Sequence, residues 1–268
     1  MEHSASPPPP PPPAASSLPA PRLPLRTRLA ILLRMLAIQG SWNYESLLGN
    51  GIGFCVEPAL RLLPGGTHTP RFKEALGRES RYFNAHPYLA AVAVGALARA
   101  ELDGVPADRI ERFRKALSGP LGSVGDRLVW AGWLPLCSIL ALVAFGLGAG
   151  ALATVGLFLV VYNAGHVALR IWGFQVGWSH GLRVASALGT PLLQRGPTRL
   201  AQAVALAAGL ALPLAFVRVI GPGKVLLGGT LAAVAMGAVV VARLEGRLEG
   251  WRLALLLLGT FALFSVAR

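Results

Sequence analysis

Acidic side chains are scarce in this chain: 12 of them stand against 25 lysines and arginines, and charged residues of both signs make up only 14% of 268 positions. Ordinary soluble domains carry about a quarter charged residues, so the composition excludes that class. Cysteine is nearly absent too. Cys55 and Cys137 lie far apart in apolar surroundings, which excludes a disulfide framework and reads them as small core hydrophobes. No glycine loop ends in Lys-Ser or Lys-Thr, and His-x-x-x-His and Cys-x-x-Cys spacings are missing. Soluble-type catalysis therefore has no visible seat, and no catalytic residue, metal or cofactor is expected. The first 21 residues lack the apolar core of a secretory signal. They hold an unbroken proline run, Pro7 to Pro13, and read as a disordered or polyproline II arm.

What is abundant is apolar sequence, 54% of the chain. Leu128 to Leu169 is free of charge and long enough for two membrane crossings at roughly 20 residues each. Three further apolar runs follow, at Leu200 to Val217, Val225 to Ala242 and Leu253 to Ala267, the last of them short. The reading is an all-α, polytopic membrane helical bundle. The formal charge of +13 does not point to nucleic acid, because the cations sit in short loops between apolar runs.

Along the chain, Arg22, Arg26, Arg28 and Arg34 alternate with leucines and Ile31, the pattern of a basic amphipathic helix on an anionic membrane surface, with the N-terminal side cytoplasmic. Pro64-Gly65-Gly66 is a helix stop, and Arg71 to Arg81 reads as a charged helix. Leu89 to Ala98 is apolar but too short to span, so it is either re-entrant or buried. Arg99 to Lys115 reads as a solvated hairpin or loop. Arg170 to Arg199, with four arginines and no acid, reads as a cytoplasmic loop. Gly146, Gly148, Gly150 and Gly156 suit close packing of helices within the bundle. The expected segments are 1–21 as the arm, 22–82 as amphipathic helices, 83–130 as a motif-bearing segment with two re-entrant or broken helical stretches, and 131–268 as the bundle.

Candidate site residues stand at the polar breaks. Asp126 is the single acid between Glu111 and Glu245, and an ionised group at membrane depth costs on the order of 3 kcal/mol, so it either marks a polar cavity or caps backbone amides and pairs with Arg127. His86 follows Asn84 and precedes Pro87; both side chains offer a donor and an acceptor suited to a polyol, and Asn84 is equally placed to cap a helix that Pro87 opens. Trp42, Asn43 and Tyr44 mix aromatic and amide groups in a way that suits stacking on a sugar or anchoring at the interface. Asn163, beside Tyr162, is interhelical glue or part of a polar path.

In order, Gly40-Ser41-Trp42-Asn43-Tyr44-Glu45, Gly53-Phe54-Cys55, Phe83-Asn84-Ala85-His86-Pro87-Tyr88 and Gly119-Pro120-Leu121 through Val124-Gly125-Asp126 closely resemble the IID component of mannose/fructose/sorbose-type sugar phosphotransferase systems. Leu157-Phe158 through Tyr162-Asn163 and Gly173 to Gly181 extend the likeness. The resemblance implies a non-phosphorylated membrane subunit, not an enzyme by itself, in the bacterial plasma membrane. It would join a IIC subunit in a hetero-oligomer that conducts a hexose, while IIA and IIB proteins carry the phosphate. It also implies that Trp42, Asn43, Asn84, His86, Gly125, Asp126 and Asn163 form the polar site. The chain departs from the family pattern at Arg127, in place of the usual proline, in a shorter spacing between its C-terminal spans, and in the proline arm. An alternative is therefore a regulatory or scaffolding subunit that does not transport; a proton-coupled carrier using Asp126 is a further one.

Overall fold

The structure, a computed structural model, describes residues 23–189 and 191–220. The proline arm and the runs Val225 to Ala242 and Leu253 to Ala267 lie outside them. Nine α-helices and no strand occur among the described residues. They belong to two compact units: residues up to Ser123 together with Leu169–Leu188, and Val124–Ala168 together with the residues from Gly189 onward.

In the first unit, α1 (Leu25–Arg34) runs through a 3-10 turn into a loop, and α2 (Gly49–Leu60) stops ahead of Gly65 and Gly66, whose φ angles of +85° and +71° suit glycine and end the helix. Helix α3 (Pro70–Glu79) starts on Thr69, whose Oγ1 accepts from the Phe72 amide at 3.3 Å, with proline at the first helical position. Helix α4 (Ala90–Leu102) is buried along nearly its whole length. Its apolar residues are packed inside the first unit. The hairpin after it is less solvated than its charge suggests, because Glu101 at the end of α4 and Arg114 on α5 (Ala107–Leu117) are both buried.

Packing around α4 depends on glycine. A Cβ at Gly177 would lie 2.1 Å from the Val92 carbonyl oxygen, and one at Gly95 would lie 2.4 Å from that of Phe174. Backbones meet here without side chains between them, the small-residue contact that apolar helices use. Gly51 of α2 is equally enclosed, 1.9 Å from the Ile38 carbonyl oxygen by the same measure.

One expectation is corrected. The stretch from Arg170 to Arg199 is not loop: α8 (Ala151–His180) is helical throughout, a nine-residue 3-10 stretch follows it, and the residues from Pro191 belong to the next helix. The reason is tertiary. Arg170 is buried, donates from Nε to the Met35 carbonyl at 3.1 Å, and lies 4.2 Å above the Tyr88 ring. A charge that reads as a loop signal is here held inside a folded unit.

The helix beginning at Pro120 does not break at Asp126. It runs from α6 (Pro120–Gly125) into wide π-type turns, Asp126–Trp133, and then α7 (Leu134–Gly146). Such π-type turns are uncommon and concentrate at functional positions. The chain reverses at Leu147–Gly150, where Gly148 has φ +111°, and α9 (Pro191–Ile220) packs on α7. Of the four glycines expected to pack helices, Gly146 does so, with a Cβ position 2.5 Å from Leu214, whereas Gly148 makes the turn and Gly150 and Gly156 meet nothing within 4 Å. Three helical runs, Ala107–Gly146, Ala151–Val184 and Leu193–Val219, are long and apolar enough to cross a membrane. Both cysteines are buried, and burial pushes the Cys55 thiol up to about 12, which makes it inert.

Candidate functional site

Three chain segments meet in the first unit, and the backbone joins them. The Phe83 amide donates to the Ser46 carbonyl at 3.2 Å and its carbonyl accepts from the Leu48 amide at 3.0 Å. The loop carrying Trp42 and Asn43 is thereby tied to the residue preceding Asn84. On the other side the Asn84 amide donates to Ser118 Oγ at 2.9 Å and the Gly119 amide to the Asn84 carbonyl at 2.8 Å. Gly119 has φ +94°, a conformation open to glycine at little cost, and it turns the chain from α5 into α6.

The sequence-derived residues take unlike roles here. Asn43 spends its side chain on the loop: Oδ1 accepts from the Glu45 amide at 3.0 Å, the Ser46 amide at 2.8 Å and Ser46 Oγ at 3.2 Å. That is an Asx turn. Trp42 is 46% exposed and meets Tyr44 edge to face at 4.8 Å. His86 is buried, and its Nδ1 accepts from the Tyr88 amide at 3.2 Å while the Tyr88 ring stands edge-on at 4.9 Å. It therefore organises the turn that leads into α4. Burial, helped by the Arg170 charge, lowers its pKa to about 4, so the ring is neutral at ordinary pH.

Asn84 differs from both. Its side chain is exposed and makes no hydrogen bond among the described residues, and α4 begins too far on for it to serve as a cap. It lines an open cleft of about 500 Å³ with Arg81, Tyr82, Glu111, Arg114, Lys115, Ser118 and Gly119. The cleft is nearly balanced in charge. Arg81 pairs with Glu111, and Arg114 pairs at 2.6 Å with Glu79, fully buried beneath it, so three cations and two carboxylates leave about one positive charge, on Lys115. An amide, a hydroxyl, a phenol and paired planar ions, with little net charge, suit a neutral or weakly anionic ligand rich in hydroxyl groups. Tyr82, Arg81, Glu111 and Ser118 carried no sequence signal for this. They come together only because the end of α3 and the residues after it meet α5 through the ion pairs Arg114–Glu79 and Arg81–Glu111.

Gly125, Asp126 and Asn163 belong to the second unit. Asp126 is exposed at the start of the π-type turns, and its carboxylate makes no hydrogen bond or ion pair among the described residues. Asn163 is committed locally, donating from Nδ2 to the Leu159 carbonyl at 2.6 Å and accepting at Oδ1 opposite His166 Nε2 at 2.8 Å. Among the described residues no group of histidine, cysteine and carboxylate side chains could hold a metal ion.

Residues 22–220 match the sequence profile of the PTS system mannose/fructose/sorbose family IID component. The mannose-specific EIID component of Escherichia coli K12 is 32% identical over 171 residues, 62% of this chain and 59% of that protein. The sorbose-specific component of Klebsiella pneumoniae is 31% identical over 174 residues, covering 62% and 61%, and the fructose permease IID component of Bacillus subtilis is 28% identical over 181, covering 65% and 64%. The chain thus matches less than two thirds of each relative's length. In fold it is similar to a chain of the mannose transporter ManYZ solved with microcin E492, at a TM-score of 0.54 and 22% identity, and to a second membrane protein at 0.66 and 22%; each alignment covers 92% of this chain and 96% of the other. With the profile spanning most of its length, this chain belongs to the IID component family of the mannose/fructose/sorbose phosphotransferase systems.

Proposed function

We propose that this IID chain acts with a second, IIC-type membrane subunit to conduct a hexose across the bacterial plasma membrane, its N-terminal side facing the cytoplasm, while separate IIA and IIB proteins supply the phosphate. The observation that carries the reading is the state of Asn84. The fold uses its backbone at both ends and leaves its amide side chain unspent, beside hydroxyl, phenol and paired charges in a cleft of about 500 Å³. Pockets that hold small molecules fall in this size range and fix orientation with a few polar groups. Trp42 and Asp126 are further candidates for contact with sugar, and both are exposed. Gly125 supports the helix before Asp126, and Asn43, His86 and Asn163 serve by holding backbone and ring in place.

The test is co-purification with the second polytopic subunit followed by hexose binding. Asn84→Ala is expected to leave assembly intact and to weaken binding about tenfold, the loss of one or two hydrogen bonds of ~1 kcal/mol each. Hexose binding by the variant at wild-type affinity would overturn the assignment of Asn84. A pair that assembles and binds no hexose at all would favour the regulatory subunit instead.

A further inference from the structure

Helix α1 has two apolar faces, and the first unit uses only one. Ile31 and, just beyond the helix, Met35 and Ile38 are fully buried. On the opposite side Leu25, Leu29 and Leu33 are 69%, 49% and 67% exposed, and Leu36 in the following turn is 56% exposed. At about 100° per residue, Leu25, Leu29, Leu32 and Leu33 fall within an arc of ~100°. Arg26 borders that arc on one side and Arg28 on the other, and neither makes an ion pair among the described residues. Arg34 is different. It points to the packed side, bonding Glu57 at 2.7 Å and the Phe54 carbonyl at 2.8 Å.

From this pattern we infer that α1 is a membrane-surface helix: its leucine arc sits at the boundary of headgroups and acyl chains of anionic lipid, with Arg26 and Arg28 on the phosphates at either edge. Charge decides for lipid over a protein partner. A leucine stripe flanked on both sides by unpaired arginines, in a helix with no acid anywhere along it, matches an apolar layer roofed by negative charge. Long cationic side chains reach such a layer while their stems stay in apolar surroundings. The assignment does not depend on the hexose reading. It concerns a different part of the first unit and holds or fails without any sugar bound.

The test uses the full-length chain in lipid nanodiscs, with an environment-sensitive NBD probe on Leu29→Cys. The wild-type chain, whose two cysteines are buried, controls for labelling. Expected are a blue-shifted emission, quenching by phospholipids that carry a nitroxide near the headgroup, and stronger quenching in phosphatidylglycerol than in phosphatidylcholine. Replacing Arg26 and Arg28 by glutamine should reduce that anionic preference by about fivefold per residue, the factor corresponding to ~1 kcal/mol for each cation near an anionic surface. Arg26 is exposed and Arg28 half-buried, and neither makes an ion pair among the described residues, so the glutamines leave no buried charge unpaired. A water-like emission would overturn the assignment. A shielded emission that lipid nitroxide does not quench would also overturn it, and would show the stripe covered by protein. Unchanged lipid preference in the double variant would refute the role given to the arginines.

Discussion

Glu79→Ala is expected to destabilise the chain by about 3–5 kcal/mol, because it removes one partner of a buried ion pair and leaves the Arg114 guanidinium uncompensated. Arg114 is 4% exposed and Glu79 0%, and they meet at 2.6 Å. The guanidinium also donates to the Arg81 carbonyl at 2.8 Å and lies 5.2 Å above the Phe83 ring. The pair therefore fixes the floor of the Asn84 cleft as well as joining α3 to α5. Glu79→Gln keeps the volume and an acceptor for Arg114 and should cost much less, at most about 1.5 kcal/mol. Thermal unfolding of the purified chain in detergent separates the two; an alanine variant that melts with the wild type would refute the account.

Gly177→Ala should be strongly destabilising for a single-methyl change. The added Cβ would lie 2.1 Å from the Val92 carbonyl oxygen and 2.9 Å from the Ala96 amide nitrogen, so the obstacle is backbone, which cannot swing aside as a side chain could. Overpacking of this kind costs typically 1–3 kcal/mol, and more where nothing yields. Gly156→Ala on the same helix meets nothing within 4 Å and should be neutral or slightly stabilising, since alanine favours helix. Comparing the unfolding midpoints of the two variants tests whether the contact of α4 with α8 holds the first unit together. Equal midpoints would show that it does not.

Much of this was legible in the residues themselves. The charged run from Arg71 appears as α3 and Pro64-Gly65-Gly66 closes the helix before it, because charge patterns and stops act over a few residues. The apolar runs from Leu128 to Leu169 and Leu200 to Val217 appear as membrane-length helices, because hydrocarbon imposes a length that composition alone can meet. The ordered motifs identified the family. What stayed hidden was the business of individual polar groups: nothing in the sequence separates Asn43, whose amide is consumed by its own loop, from Asn84, whose amide is left over.

Local sequence thus settled that this chain is helical, membrane-borne and of the IID kind, since hydropathy, capping and motif order are properties of neighbouring residues. Only the tertiary structure decided that Arg170 is an interior cation bonded to Met35, 135 residues away, that Glu79 and Arg114 neutralise each other, and that Asn84 faces a cleft. Each of those outcomes depends on a partner distant in sequence, and the desolvation of a charge or an amide is decided by the partner that meets it, not by the residues beside it.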